Sequence, residues 1–390
     1  MPQSNRKVMS GRIRKEWIIM NKKELSEIKK IYSKKDCCIR QMAGCYINAK
    51  KEILSTFNKL FLNLPEEEFY KYLELLKKGL TGTIGKNIIT LDFTKDAQQT
   101  GMADFFLKLK STDLKNEEML MRFYEQCAVA YADCQNICVL LVHNSYDVIH
   151  RNDDGAKDMD GADEVYDYLQ CLIIPVKLEE PGLAYNKEDG GFTRKDTRWC
   201  LDSPACGFLY PSFEDRSTDT SRVTIYTKKT DNTYIDFLQE LLDTQATKSV
   251  SEQKEEFTEV IEAAVRGNDN GVAIATKIQK NFAERAAKEP GKILNLTKED
   301  VKEILADSGM DDTGVRSFEK FYEEKIGNKP VAVQNVINVK ELKVKTPDIS
   351  ITVKSGKTDA VSIQNIGGKK CIVIEMDEQD AVDVNGIKLE

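Results

Sequence analysis

The stretch Cys206–Lys229 constrains the fold more than any other part of the chain. Cys206-Gly207-Phe208-Leu209-Tyr210 and Thr224-Ile225-Tyr226-Thr227-Lys228 are short runs rich in strand-forming residues. Between them lies Pro211-Ser212-Phe213-Glu214-Asp215-Arg216-Ser217-Thr218-Asp219, a polar turn dense in hydrogen-bonding side chains. Strand-like runs bounded by such a turn predict paired strands. Helical sequence stands before and after them, so the predicted class is α+β.

A chain of 390 residues is too long for one ordinary core. We divide it into residues 1–19, a disordered extension or cloning remnant with Met20 as the natural start; 20–114, an N-terminal helical region; 115–230, a central mixed α/β core; 231–330, a second helical region; and 331–390, a C-terminal antiparallel β meander. The first region opens with Leu25, Ile28 and Tyr32 at helical spacing. A second helix is expected from Ala49, with Ile53, Phe57 and Leu60 on one face. A third starts at Pro65-Glu66-Glu67-Glu68, where proline loses no hydrogen bond and carboxylates meet the positive end of the dipole, and it stops at Gly79.

In the central core, Leu120, Phe123, Cys127 and Ala130 predict a helix leading into Ile137–His143, an apolar run that reads as a buried strand. Tyr166–Lys177 is a further strand, in which Pro175 predicts an edge or a bulge. Helical stripes return at Tyr234–Leu242, Phe257–Val265 and Ala273–Phe282. Thr297 and Asp300 form a capping pair for the next helix, and Asp311-Asp312 opens the last.

Hydrophobic content of 41% with 31% charged residues describes a globular chain. No run approaches the roughly 20 apolar residues of a membrane span. Trp17-Ile18-Ile19-Met20 is too short for a signal peptide. Ten cysteines without such a signal predict reduced thiols in the cytoplasm. The net charge of −7 is uneven: residues 1–60 hold 15 Lys and Arg against 5 Asp and Glu. A basic front on an acidic body fits a polyanion or an acidic partner, and equally fits solvated helix faces.

Most motifs fail on spacing. Gly79–Asn87 imitates a phosphate loop, but five residues separate Gly79 from Gly85 and Asn87 replaces the magnesium-binding hydroxyl. The acidic loop Asn152–Asp163 lacks the alternation of a calcium loop. Cys127, Cys134 and Cys138 read as core thiols, while Cys37, Cys38, Cys45, Cys200 and Cys206 lack CxxC pairs. His143 and His150, seven residues apart, would point to opposite faces of an extended segment. There is no nucleophile elbow. No enzyme signature, metal or cofactor is therefore expected.

Two features remain. Arg216 offers a planar donor set suited to carboxylate or phosphate. Asp215 and Asp219 are near enough in sequence to satisfy it, and Tyr210 and Phe213 could wall an anion or partner site. Residues 340–370 hold seven Lys against three acids, and Lys343, Lys345, Lys354, Lys357, Lys369 and Lys370 could line one polyanion-facing edge or simply guard a sheet edge from aggregation. The helix-turn-helix outline of Thr297–Lys325 is different: its second helix is net acidic and would be repelled by phosphates.

Met20-Asn21-Lys22-Lys23-Glu24-Leu25 and Gly207-Phe208 with Pro211–Asp219 and Tyr226-Thr227-Lys228 resemble a Firmicutes family of domains of unknown function. The helix pair Leu296–Ile326 followed by Ile349–Val353 resembles bacterial nucleoid-associated proteins of the NdpA type. That second resemblance implies DNA binding but carries over no base-reading residues. The expected function is thus a cytoplasmic, non-enzymatic protein that contacts DNA phosphates through Lys-rich surfaces. The alternative is a protein-interaction or regulatory module, RNA- or ribosome-linked, that docks through the Arg216 turn. Self-association is open in either case.

Overall fold

The computed structural model describes residues 20–131, 133, 135–148, 164–188, 190–268, 271–288, 293–338, 341–354, 360–376, 382–384 and 387–389. Helix α1 (Lys22–Ile31) starts at Asn21, whose side chain accepts from the Lys23 and Glu24 amides while Glu24 reaches back to the Asn21 amide. This reciprocal box satisfies donors that the first turn leaves orphaned. Strands β1 (Gln41–Ile47) and β2 (Ile53–Leu60) follow as an antiparallel hairpin.

Here the expected helix from Ala49 is corrected. Ile53, Phe57 and Leu60 mimic a helical period, but Asn48 Oδ1 accepts from the Lys50 and Glu52 amides at 2.9 Å each and turns the chain back on β1. A local Asx turn and a buried partner strand outweigh the spacing.

Next come α2 (Glu66–Lys78), β3 (Ile88–Asp92), α3 (Lys95–Gln99), α4 (Met102–Ser111), α5 (Glu117–Ala130), β4 (Ile137–Val148) and β5 (Glu164–Leu178). Among the described residues, strands β6 (Leu183–Asn186) and β7 (Gly191–Arg194) pair only with each other. Then follow β8 (Trp199–Leu201), β9 (Cys206–Tyr210), β10 (Ser212–Glu214), β11 (Ser217–Asp219), β12 (Arg222–Thr227) and α6 (Asn232–Leu242). The large sheet runs β2-β1-β4-β5-β9-β12-β3, with β8 added at the end of β5. Its neighbours are all antiparallel.

Helices cover both faces of this sheet. Leu25 and Ile28 of α1, its C-cap residue Tyr32, and Phe69, Leu73 and Leu76 of α2 share a core with Met42, Leu140, Val142 and Leu172. Phe106, Phe123, Cys127 and Leu238, from α4, α5 and α6, pack with Ala43, Val139, Leu141, Ile173 and Phe208 on the other side. Alternate residues of β4 thus enter opposite cores, which is why Ile137–Val142 reads as unbroken apolar sequence. Pro175 lies inside β5, where β9 pairing ends at Ile173 and β8 pairing begins at Val176. Its missing N–H falls at that break. Burial pushes the Cys127, Cys171 and Cys206 thiols well up and that of Cys138 to about 12, as expected of inert core thiols.

A second group of helices has its own core. It comprises α7 (Val250–Val265), α8 (Gly271–Lys288), β13 (Asn295–Leu296), α9 (Lys298–Asp307), α10 (Asp312–Lys325), β14 (Val331–Ala332) and α11 (Val333–Val336). Phe257, Phe282, Val301, Leu305, Phe318 and Tyr322 are buried together there. The Thr297–Asp300 box caps α9 as the sequence predicts. Among the described residues the C-terminal segment is antiparallel, with pairing within three two-stranded hairpins: β15 (Glu341–Lys345) with β16 (Ser350–Lys354), β17 (Val361–Ile366) with β18 (Lys369–Ile374), and β19 (Val382–Val384) with β20 (Ile387–Leu389). The α+β class holds.

Candidate polyanion face and the Arg216 turn

The turn between β10 and β11 is a two-residue hairpin loop, with Glu214 paired to Ser217. Asp215 and Arg216 have φ of 49° and 57°, two successive left-handed residues of the kind that a type I′ turn requires. Arginine is poorly suited to that region, and its contacts hold it there. The Arg216 amide donates to Glu24 Oε1 at 2.8 Å, and Arg216 Nη1 donates to Glu27 Oε2 at 2.9 Å. Tyr146 donates its hydroxyl proton to the same Glu27 oxygen at 3.0 Å. Glu24 therefore serves two ends, capping α1 with one oxygen and the hairpin loop with the other.

The other residues expected at this site are spread over different environments. Tyr210 is buried and donates to the Thr220 carbonyl at 3.0 Å. Phe213 is buried against Tyr166, with ring centroids 4.5 Å apart. Asp219 Oδ1 accepts from the Ser221 amide and hydroxyl at 2.8 and 2.6 Å. Asp215 is exposed at the loop tip. Glu27 is the carboxylate opposite Arg216, whereas the sequence pointed to Asp215 and Asp219. The guanidinium of Arg222 holds Asp92 at 2.7 Å and Glu214 at 2.8 Å, a second tie between the small hairpin and the sheet.

The lysines behave differently. In the β15–β16 register Glu341 faces Lys354, Lys343 faces Thr352 and Lys345 faces Ser350. Side chains of a strand alternate between its faces, so Lys343, Lys345 and Lys354 share one face. All three are exposed, while Leu342, Val344, Ile351 and Val353 on the opposite face are half-buried. Lys343 and Lys345 are thus about 7 Å apart along the strand. Within this face the acid is Glu341, 3.7 Å from Lys343. Lys369 is exposed on β18, and Lys370 pairs with Asn365 in the β17–β18 hairpin. Lys357 lies outside the described residues, as do His150, Cys134 and the loop 152–163.

One cluster escaped the sequence reading. His143 on β4 is buried, with Nδ1 2.6 Å from Asp113 Oδ1 and Nε2 2.8 Å from Asp167 Oδ1. Each ring nitrogen thus faces one carboxylate. Lys110 adds a contact to Asp167 at 3.3 Å and Lys115 one to Asp113 at 3.3 Å. Burial acts to raise the Asp167 carboxyl, but the hydrogen bond and charge of His143 together with Lys110 hold it below its usual range. With both ring nitrogens occupied, the imidazole is a tie between β4, β5 and the 113–114 turn. Asp113 and Asp167 lie 30 and 24 residues from His143, beyond the reach of any spacing rule.

No helix among the described residues is long and apolar enough to cross a membrane. No curated protein matches the chain. A family model described as a domain of unknown function matches residues 20–387, nearly the whole described molecule. The chain therefore belongs to the DUF4317 family.

Proposed function

We propose that this protein is a non-enzymatic, nucleoid-associated-like protein of the cytoplasm that binds nucleic-acid phosphates through the lysine face of the β15–β16 hairpin. The observation that carries this reading is the register that gathers Lys343, Lys345 and Lys354 on one exposed face. A two-stranded ribbon is also narrow enough to lie along a duplex groove. Lysine is a point charge without bidentate geometry, so the contacts position the protein and read no bases. The Arg216 turn supports a different role, because its guanidinium and its amide are both bound to α1.

The test is duplex DNA binding by the full chain against a triple Lys343→Glu, Lys345→Glu, Lys354→Glu variant, at low salt and with two unrelated duplex sequences. The reading expects equal affinity for both sequences and loss of binding in the variant with an unchanged unfolding midpoint. Wild-type affinity in the variant removes it.

A further inference from the structure

Strand β3 forms one edge of the large sheet, and that edge borders a cavity of about 350 Å3 shared with the helical group around α7 and α11. In the antiparallel ladder with β12, successive residues of β3 aim their amide groups alternately at β12 and at the free edge. Three hydrogen bonds fix the phase. On the edge side the Gly85 amide donates to the Ile88 carbonyl at 2.7 Å and the Gln245 amide to the Asp92 carbonyl at 2.9 Å. On the β12 side the Phe93 amide donates to the Ser221 carbonyl at 3.0 Å.

Thr90 lies midway between Ile88 and Asp92, so its N–H and C=O both point at the edge. Among the described residues neither takes a backbone partner there. The rungs on either side are closed by the chain itself, and among the described residues the rung at Thr90 is open.

Asn335 of α11 lines the same cavity, and its Nδ2 donates to Gln253 Oε1 of α7 at 3.1 Å, so the wall opposite the open rung is tied in place. Ile89 and Pro330 supply apolar wall, and Lys329 is exposed at the lining.

We propose that this cavity binds a short extended peptide ending in a free carboxylate, which adds a strand rung at Thr90 and sets its carboxylate near Lys329. An arriving main chain has the matching donor and acceptor for the Thr90 pair, as in other strand additions. The open stretch between the closed rungs at Ile88 and Asp92 is about 13 Å, room for three or four extended residues.

The test uses the full chain and N-acetyl-Val-Thr-Val with a free C-terminus, compared with the same peptide N-methylated at its threonine. Residue-resolved amide exchange of the free protein should show Thr90 exchanging fast while Ile89 and Leu91, bonded to β12, are slow. The tripeptide should slow Thr90 exchange at least tenfold. The N-methyl peptide, unable to donate and sterically barred from the edge, should bind about tenfold more weakly. Lys329→Ala should weaken the unmodified peptide severalfold. A slow Thr90 amide in the free protein would mean that the edge is already paired, and it would overturn the site. So would equal affinity for the two peptides, or no binding at about 1 mM.

Discussion

The polar side chains of the sandwich are spent on joining its layers. Tyr32, just past the end of α1, lies within 3.0 Å of the Tyr168 hydroxyl and donates to Gln170 Oε1, Asn144 donates to Tyr168 at 2.9 Å, and Gln170 donates to the Leu76 carbonyl at 3.0 Å. Every member is buried. Tyr32→Phe removes one hydroxyl and leaves its partners short of a bond, so chemical denaturation should show a loss of about 1–3 kcal/mol. The Arg216–Glu27 pair is one-third exposed on each side, and a double-mutant cycle with Arg216→Ala and Glu27→Ala should give a coupling of only about 0.2–1 kcal/mol. Asp167 gives a pH signature. Its folded carboxyl titrates below its unfolded value, so its contribution is complete above about pH 4 and is lost as the pH falls through the lower folded value. The unfolding midpoint should therefore drop more steeply below about pH 4 in the wild type than in Asp167→Asn. Parallel pH profiles would contradict this.

At the level of elements, close backbone approach sets the sheet as firmly as apolar periodicity does. A Cβ on Gly207 would run into the Cys171 carbonyl oxygen across the β5–β9 pair. Gly207→Ala should lower the melting temperature by several degrees or more, through overpacking of about 1–3 kcal/mol. Thr297→Ala removes one half of the α9 box and should cost about 1 kcal/mol, measured by the same denaturation. Caps of this sort were legible from the residues, as were the helices α2, α5 and α10 and the strands β4, β5, β9 and β12. Those segments carry their own periodicity or end signals. Strand β2 was not legible, because its outer face is exposed and its few apolar residues fall at helical spacing by accident of an edge position. The partner of Arg216 was hidden for another reason: Glu27 is 189 residues away, and only the packing of α1 on the sheet brings the two together.

For the whole molecule, the net charge of −7 opposes any polyanion at long range. The proposed binding must then rest on local geometry, three exposed lysines held on one ribbon face about a rung apart. Charge repulsion from the acidic body is screened beyond about 10 Å at 0.1 M salt, whereas phosphates touching the ribbon are not. Counterion release therefore gives the most direct measurement: the slope of log K against log salt for duplex DNA between low and moderate ionic strength. Three phosphate contacts predict a slope near −3, and each single Lys→Ala change at 343, 345 or 354 should make it shallower by about 1, with the same value for any DNA sequence. A slope near zero, or one unchanged in all three variants, would contradict the account.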